Sequence, residues 1–379
     1  MEFSYDDEQN GLREAVSGLL ARAYADSEQR RKVVATDPGF DEKTWSRLAE
    51  MGVLGLPFAE SDGGMGAGPV EVSIVAEEIG RVLAPEPFIE AVVLAGGLVA
   101  DLGTDAQRSA VLGALAEGSL VPAFAHAEVG SRWEPAARTV TATEDGGTWR
   151  LSGVKEPVPN GARADVLVVS ARAEDGATRL FLVQGDAEDL TRTGHRNHDG
   201  TRSAKVALAG TPAEPLGEQG GDQTAAIEKA QARARVAYGH EALGAMETAL
   251  TTTAEYLKTR KQFGVPLSKF QALTFRAADM YVSLELARST VMWATLVVDS
   301  DGDVVGAADR ARLQTSRASR HIGKEAIQLH GGIGVTAEYK VGHYTSRLTA
   351  IDHLLGDGDW ALARLAASVD EHETVNPLR

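Results

Sequence analysis

The sequence predicts an α+β chain built in three successive parts: a helical domain over residues 1–120, a small β-domain over 121–220, and a four-helix bundle over 221–379. Three observations carry this. Apolar residues recur at helical spacing through the first third of the chain. The texture changes near Pro122 to short, turn-bounded runs, and no proline occurs between Pro215 and Pro266, where long amphipathic runs begin.

Each part can be justified in order. Leu12, Val16, Leu19 and Leu20 repeat at helical spacing, as do Trp45, Leu48 and Met51. Residues 61–69, rich in glycine, read as a loop, and a helix resumes over Val70–Val82. Past Pro85 and Pro87, the apolar stretch Ile89–Leu102 reads as a buried core helix. Thr139–Thr143 alternates, Asp145-Gly146-Gly147 is a turn, and strand composition returns at Trp149–Leu151, Val166–Ser170, Leu180–Val183 and Ser203–Leu208. Short strands without intervening helices favour a small barrel or sandwich over a parallel sheet. Leu243, Met246, Leu250 and Leu257 then share a helical face. Leu273, Ala277, Met280, Leu284, Ala287 and Val291 step by four and three, which marks a bundle seam. A third run, Ala307–Leu329, is stopped by Gly331-Gly332. A fourth spans about Val341–Leu355, and a last helix runs from Asp359 to about Asp370.

Composition narrows the function. The 379 residues carry a net charge of −16, which opposes nucleic-acid binding through bulk repulsion from phosphate. With no cysteine there is no disulfide, thiolate zinc site or cysteine nucleophile. The N-terminus, Met1-Glu2-Phe3-Ser4-Tyr5-Asp6, is acidic where a signal peptide is basic and then apolar, and no apolar run approaches the ~20 residues that span a bilayer. A cytoplasmic protein without a membrane segment is expected.

The chemistry-bearing motifs are few. His321 and His330, and likewise His343 and His353, miss the i, i+4 spacing of a helical metal motif, so no metal is expected. Gly332-Ile333-Gly334 lacks the preceding strand of a dinucleotide fingerprint. Arg310, Arg312, Arg317, Arg320 and Lys324 make one helix basic, either as a solvated face or as a seat for phosphate groups. Arg260 beside Phe263 and Gln271 combines cation, ring and amide as a nucleotide cradle does, or it is a cation closing a helix.

Arg260-Lys261-Gln262-Phe263-Gly264, Phe270-Gln271 and Gln328-Leu329-His330-Gly331-Gly332-Ile333-Gly334-Val335-Thr336-Ala337-Glu338 together resemble the acyl-CoA dehydrogenase family, and the order of segments agrees along the whole chain. The nearest flavour is the actinobacterial type acting on steroid side chains or dicarboxylic acids, including subunits similar to pimeloyl-CoA dehydrogenase small subunits. The resemblance implies a middle β-barrel and a glutamate that takes the α-proton of an acyl-CoA thioester. It also implies FAD as hydride acceptor, and an electron-transferring flavoprotein downstream. It implies, too, that FAD lies across a subunit interface. The bundle of one chain then offers Arg260, Phe263, Gln271, Gln328, Gly331 and Gly332 to the cofactor seated in its partner.

The remaining motifs depart from the family. Its glutamate before an arginine corresponds to Ala234 before Arg235. Its C-terminal alternative corresponds to Leu354-Leu355-Gly356-Asp357, without a glutamate. Thr-Glu-Pro becomes Ala127-Glu128-Val129, and Trp-Ile-Thr-Asn-Gly becomes Pro157-Val158-Pro159-Asn160-Gly161. The expectation is therefore a non-catalytic subunit of an α2β2 acyl-CoA dehydrogenase, completing the FAD site of a second, similar subunit. Ser131 and Arg235 are expected at the acyl-CoA. The alternatives are a self-sufficient dehydrogenase with Asp352 as substitute base (Asp357 and Glu241 being the other carboxylates), or a flavin-free scaffold or acyl-CoA-binding protein.

Overall fold

A computed structural model describes residues 5–24, 26–218 and 221–371. The start of the acidic N-terminus, Met1–Ser4, lies outside the described residues. Helices α1 (Asp7–Tyr24), α2 (Ser27–Ala35), α3 (Glu42–Glu50) and α4 (Pro69–Val82) open the chain. Aspartates cap the N-termini of α2 and α3, and Pro69 starts α4, where its missing N–H costs nothing. The glycine-rich loop expected over 61–69 begins as a short 3₁₀ turn, Glu60–Asp62. The predicted helix at Ile89–Leu102 is present but not uniform. Its first part, Ile89–Gly96, is wound as a π-helix, and only Gly97–Leu102 is regular α5. Helix α6 (Asp105–Ala116) follows behind a Thr104/Gln107 capping box.

Seven strands form the middle part: β1 (Pro122–Ala125), β2 (Thr141–Asp145), β3 (Thr148–Pro159), β4 (Val166–Arg172), β5 (Thr178–Gln184), β6 (Leu190–Arg196) and β7 (Arg202–Pro215). Gly146 and Gly147 both take positive φ, so two residues suffice to turn β2 into β3. The pairings run β4–β2–β3–β7–β5 and return to β4, closing a barrel, with β1 added beside β4 and β6 beside β7. Alternation along β4 serves two cores at once: Leu167, Val169 and Ala171 fill the barrel, while Val166 and Val168 join the helical core. Strands β1 and β6 had no distinct sequence signal. β1 is four residues long, and β6 (Leu-Thr-Arg-Thr-Gly-His-Arg) is a mostly exposed edge strand without apolar alternation.

Helices α7 (Thr224–Thr259), α8 (Gln271–Asp299), α9 (Val304–His330) and α10 (Val341–His353) make the bundle, and α11 (Gly358–Ala367) packs on α9. The anticipated seam is present: Met280, Leu284, Ala287 and Val291 are buried, and Leu273 and Ala277 pack partly buried at its end. One core runs unbroken from α1 through the bundle, so the N-terminal helices and the bundle share their apolar faces. No helix among the described residues is long and apolar enough to cross a membrane.

Candidate functional site

Two regions concentrate the candidate chemistry, and they lie far apart. The first is the end of the bundle where α7 stops, α8 starts and α9 stops. A two-residue ladder, Lys261–Gln262 against Val265–Pro266, joins α7 to α8, with Phe263 and Gly264 at its tip. Phe263 holds φ at +53°, a conformation that bulky residues rarely adopt, and its ring is 93% exposed, edge-on to Phe270 at 6.1 Å. A strained aromatic ring facing solvent is shaped for a contact from outside the chain. Gln271 begins α8 without a side-chain cap and without an acidic first turn, so no carboxylate of its own offsets the positive end of the helix. Gln328 is exposed in the last turn of α9. Gly331 ends that helix at φ +63°, with open space where a Cβ would sit. Beneath this surface His330 lies between Tyr256 and Tyr339, with ring centroids 4.4 and 4.9 Å away, which ties the ends of α7 and α9 together.

The second region is a cleft of about 590 Å³ between the π-helix, the barrel, α7 and the α10–α11 connection. Its walls include Glu90, His126, Pro157, Pro159, Tyr238 and Asp357. Under the barrel side runs a directed chain of hydrogen bonds. Lys155, fully buried, donates to Glu128 Oε1 at 2.7 Å, to Ser170 Oγ at 2.9 Å and to the His126 carbonyl at 3.0 Å. Burial and the Lys155 charge push His126 down to about 4, so its ring is neutral. Nε2 faces the Glu134 carbonyl at 2.8 Å and must carry the hydrogen. Nδ1 therefore accepts from Ser170 Oγ, also at 2.8 Å. Glu128 also accepts backbone N–H groups of Arg138, Thr139 and Val140. Burial raises its carboxyl, but Lys155 and Thr139 together bring it down to about 2. This network fixes the 126–134 loop along the cleft. Pro157 and Pro159 stand on the same wall, and neither offers an N–H or a hydroxyl to a ligand.

The carboxylates fall out differently from the expectation. Asp352 is buried but does not line the cleft; it pairs with Arg320 Nε at 2.9 Å. Glu241 is held by Arg347 at 2.6 and 3.0 Å and faces a separate, water-sized cavity. Asp357 does line the cleft, and its carboxylate caps α11 by accepting Trp360 N–H at 2.7 Å. Glu90 faces it from the π-helix, its carboxyl raised by burial, and Tyr238 lies on the same wall. No sequence motif singles out Glu90. The available signal was a carboxylate near the start of an otherwise apolar run. The two residues expected at substrate also sit elsewhere. Arg235 is buried behind the wall, stacked 5.0 Å over Trp360, 3.2 Å from Asp309 and donating to the Leu355 carbonyl at 3.4 Å. Ser131 is buried, with its hydroxyl donating to the Glu128 carbonyl. Ala234, fully buried, brings no functional group. The basic helix α9 divides: Arg312 is buried on the Ile351 and Leu354 carbonyls, while Arg317 and Lys324 are exposed. Among the described residues no cluster of His, Asp or Glu is arranged to hold a metal.

A helical N-terminal domain, a closed middle barrel and a bundle with an arginine–glutamine–glycine end make up the three-part architecture that the sequence resemblance implies. The chain belongs to the acyl-CoA dehydrogenase family, whose N-terminal, middle and C-terminal domain models match residues 6–119, 123–209 and 224–369. Acyl-CoA dehydrogenase IpdE2 of Mycobacterium tuberculosis is 32% identical over 370 residues, covering 96% of this chain and 98% of the relative. A variant of the Tcur3481-Tcur3483 steroid ACAD superposes with TM-score 0.87 at 33% identity, covering 96% of this chain and 98% of that one. A chain of the ChsE4-ChsE5 complex from M. tuberculosis superposes with TM-score 0.89 at 26% identity, covering 99% and 100%. Members of the family bind FAD. The bundle end carries a cation, two amides and glycine backbone, donor types whose chemistry suits a dinucleotide. The cleft has a volume of about 590 Å³, and Pro157 and Pro159 stand on its wall.

Proposed function

We propose that this chain is a subunit of a heteromeric α2β2 acyl-CoA dehydrogenase and that its bundle completes the FAD site of a second, similar subunit. The observation that carries this is the distance between the two regions. From Tyr238 on the cleft to Thr259 beside Arg260, a single unbroken helix rises about 30 Å. Arg260, Phe263, Gln271, Gln328, Gly331 and Gly332 belong to that far end of the bundle, which supports their serving a dinucleotide held by another chain. Two structural neighbours, Tcur3481-Tcur3483 and ChsE4-ChsE5, are named as pairs, which supports the same arrangement. Where the family motifs place a base, a ring and a hydroxyl the chain has the buried Ala234 and, on the cleft wall, Pro157 and Pro159, and this supports a non-catalytic role. FAD supplies hydride acceptance when bound, and an electron-transferring flavoprotein would take the electrons onward. This chain's contribution is to hold the cofactor's phosphates and adenosine.

One observation favours a second reading, a self-sufficient dehydrogenase. The cleft keeps about 590 Å³, and Asp357 and Glu90 both stand on its wall. Expression of the chain alone and with a candidate partner separates the two. The first reading expects flavin absorbance and acyl-CoA oxidation only on co-expression, with bound flavin lost in Arg260→Ala. Yellow, active protein from the chain alone would overturn it, and dependence of that activity on Asp357 would establish the second. A colourless, inactive complex would leave the scaffold role.

A further inference from the structure

A cavity of about 200 Å³ lies where α2, the end of α4 and the start of α10 meet. None of its lining residues belongs to the cleft or to the bundle-end set. Its walls carry Arg30, Arg81, Lys340 and His343, and among the described residues no aspartate or glutamate lines it. In a chain of net charge −16 this is a pocket of the opposite sign, and such a pocket focuses its field on an anion.

The cations differ in how far they are neutralised. Arg81 is spent, pairing with Glu77, Glu78 and Glu247 at 2.7, 3.0 and 2.9 Å. Arg30 is 6% exposed and has no carboxylate of its own: Nε donates to the Leu83 carbonyl at 2.5 Å and Nη2 to the Asp199 carbonyl at 3.3 Å. The Asp199 carboxylate goes to Arg347 instead. Nη1 of Arg30 has no partner among the described residues and keeps accessible surface, and Arg30 lines this cavity. Burial and the Arg347 charge hold Arg30 below the ordinary arginine range, the mark of a cation short of a counter-ion. Ser27 and Lys340, on the same walls, are likewise without hydrogen-bond partners for their side chains among the described residues. His343 adds an acceptor. Its Nε2 faces the Ala337 carbonyl at 2.9 Å and must carry the hydrogen. Burial, then the charges of Arg30 and Arg31, lower its pKa, so the ring is neutral at pH 7.5 and Nδ1 presents a lone pair. The set thus asks for an anion that accepts from several directions and still has a hydroxyl to give. Carboxylates and sulfate have none at that pH, and a phosphomonoester, with its second pKa near 6, has lost its own. Inorganic phosphate keeps one. At about 30 Å³ per water-sized group the space takes roughly six or seven heavy atoms, enough for phosphate.

We propose that this cavity is a binding site for free inorganic phosphate, held by Arg30 Nη1, Ser27 and Lys340 and donating its own hydroxyl to His343 Nδ1. The site is independent of the subunit role proposed above.

The test is calorimetric titration of the full chain at pH 7.5 with inorganic phosphate, sulfate and methyl phosphate, followed by crystallographic location of the phosphate. The site predicts saturable one-to-one uptake of phosphate, roughly fivefold tighter than sulfate or methyl phosphate, the size of one net hydrogen bond. His343→Leu is expected to erase that preference. Lys340→Met, at an exposed position, is expected to weaken all three anions roughly fivefold. Absence of saturable uptake by the unmodified chain overturns the proposal without recourse to any variant, and so does equal affinity for the three anions. Phosphate uptake unchanged in Lys340→Met, or phosphate located at the bundle end, overturns it as well.

Discussion

Glu86 shows how one buried residue sets a pH dependence. It is 4% exposed, accepts the Tyr24 hydroxyl and, at 3.3 Å, the Asp41 N–H, and its Oε2 has no partner. Burial pushes its carboxyl up from 4.5 to about 7. The folded state therefore holds the proton more tightly than the unfolded chain. The resulting stability is complete below pH 4.5 and is lost as pH rises through about 7. Glu86→Gln keeps an acceptor for Tyr24 and removes the titration. It is expected to raise stability at pH 8 by roughly 1–3 kcal/mol and to change it little at pH 4.5. Urea midpoints at the two pH values check this, and equal midpoints for wild type and variant at pH 8 would refute it.

Between elements, glycines decide how closely two helices approach. A Cβ on Gly244 of α7 would meet the Glu77 carbonyl of α4 at 2.0 Å, and one on Gly80 of α4 would meet the Glu241 carbonyl at 1.9 Å. The α4–α7 crossing is thus backbone on backbone, and it joins the N-terminal helices to the bundle. Gly244→Ala has no flexible neighbour to displace and is expected to cost about 3 kcal/mol. Gly113, within α6, has nothing within 4 Å of its Cβ position. Gly113→Ala is expected to gain about 0.5–1 kcal/mol from helix propensity alone. Thermal or urea unfolding of the pair tests the contrast, since glycine-to-alanine chemistry is the same in both.

At the scale of the whole molecule, the unpartnered surface indicates where another chain belongs. Phe275, Val282 and Leu286 lie exposed on one face of α8, and Phe263, Ile333 and Val335 are exposed around the bundle end. A cluster of large apolar residues left to solvent marks an interaction surface. Leu286→Glu puts a carboxylate into that face without touching the core. The expected result is an assembled protein whose mass in light scattering falls toward the 40.1 kDa of one chain, with unchanged circular dichroism. A wild type already monomeric with every partner tried would argue against the proposed assembly.

Local pattern was enough to read the α+β architecture in its three-part order, the helix stop at Gly331, and the arginine–phenylalanine–glutamine–glycine set that marks the family. Apolar periodicity, turn glycines and short motifs are properties of neighbouring residues, and these features needed nothing more. Only the tertiary structure decided which carboxylates meet the cleft. Asp352 and Asp357 are five positions apart, yet one is spent on Arg320 and the other caps α11 on the cleft wall. Glu90, in an apolar run, reaches the same wall from a helix wound as π at that point. Barrel closure likewise rests on a bridge between Thr141 and Arg172, whose partnership no local pattern announces. The physical reason is common to all three. A buried charge or a strand edge is satisfied by whatever distant segment packs against it, and that choice is made by the fold as a whole.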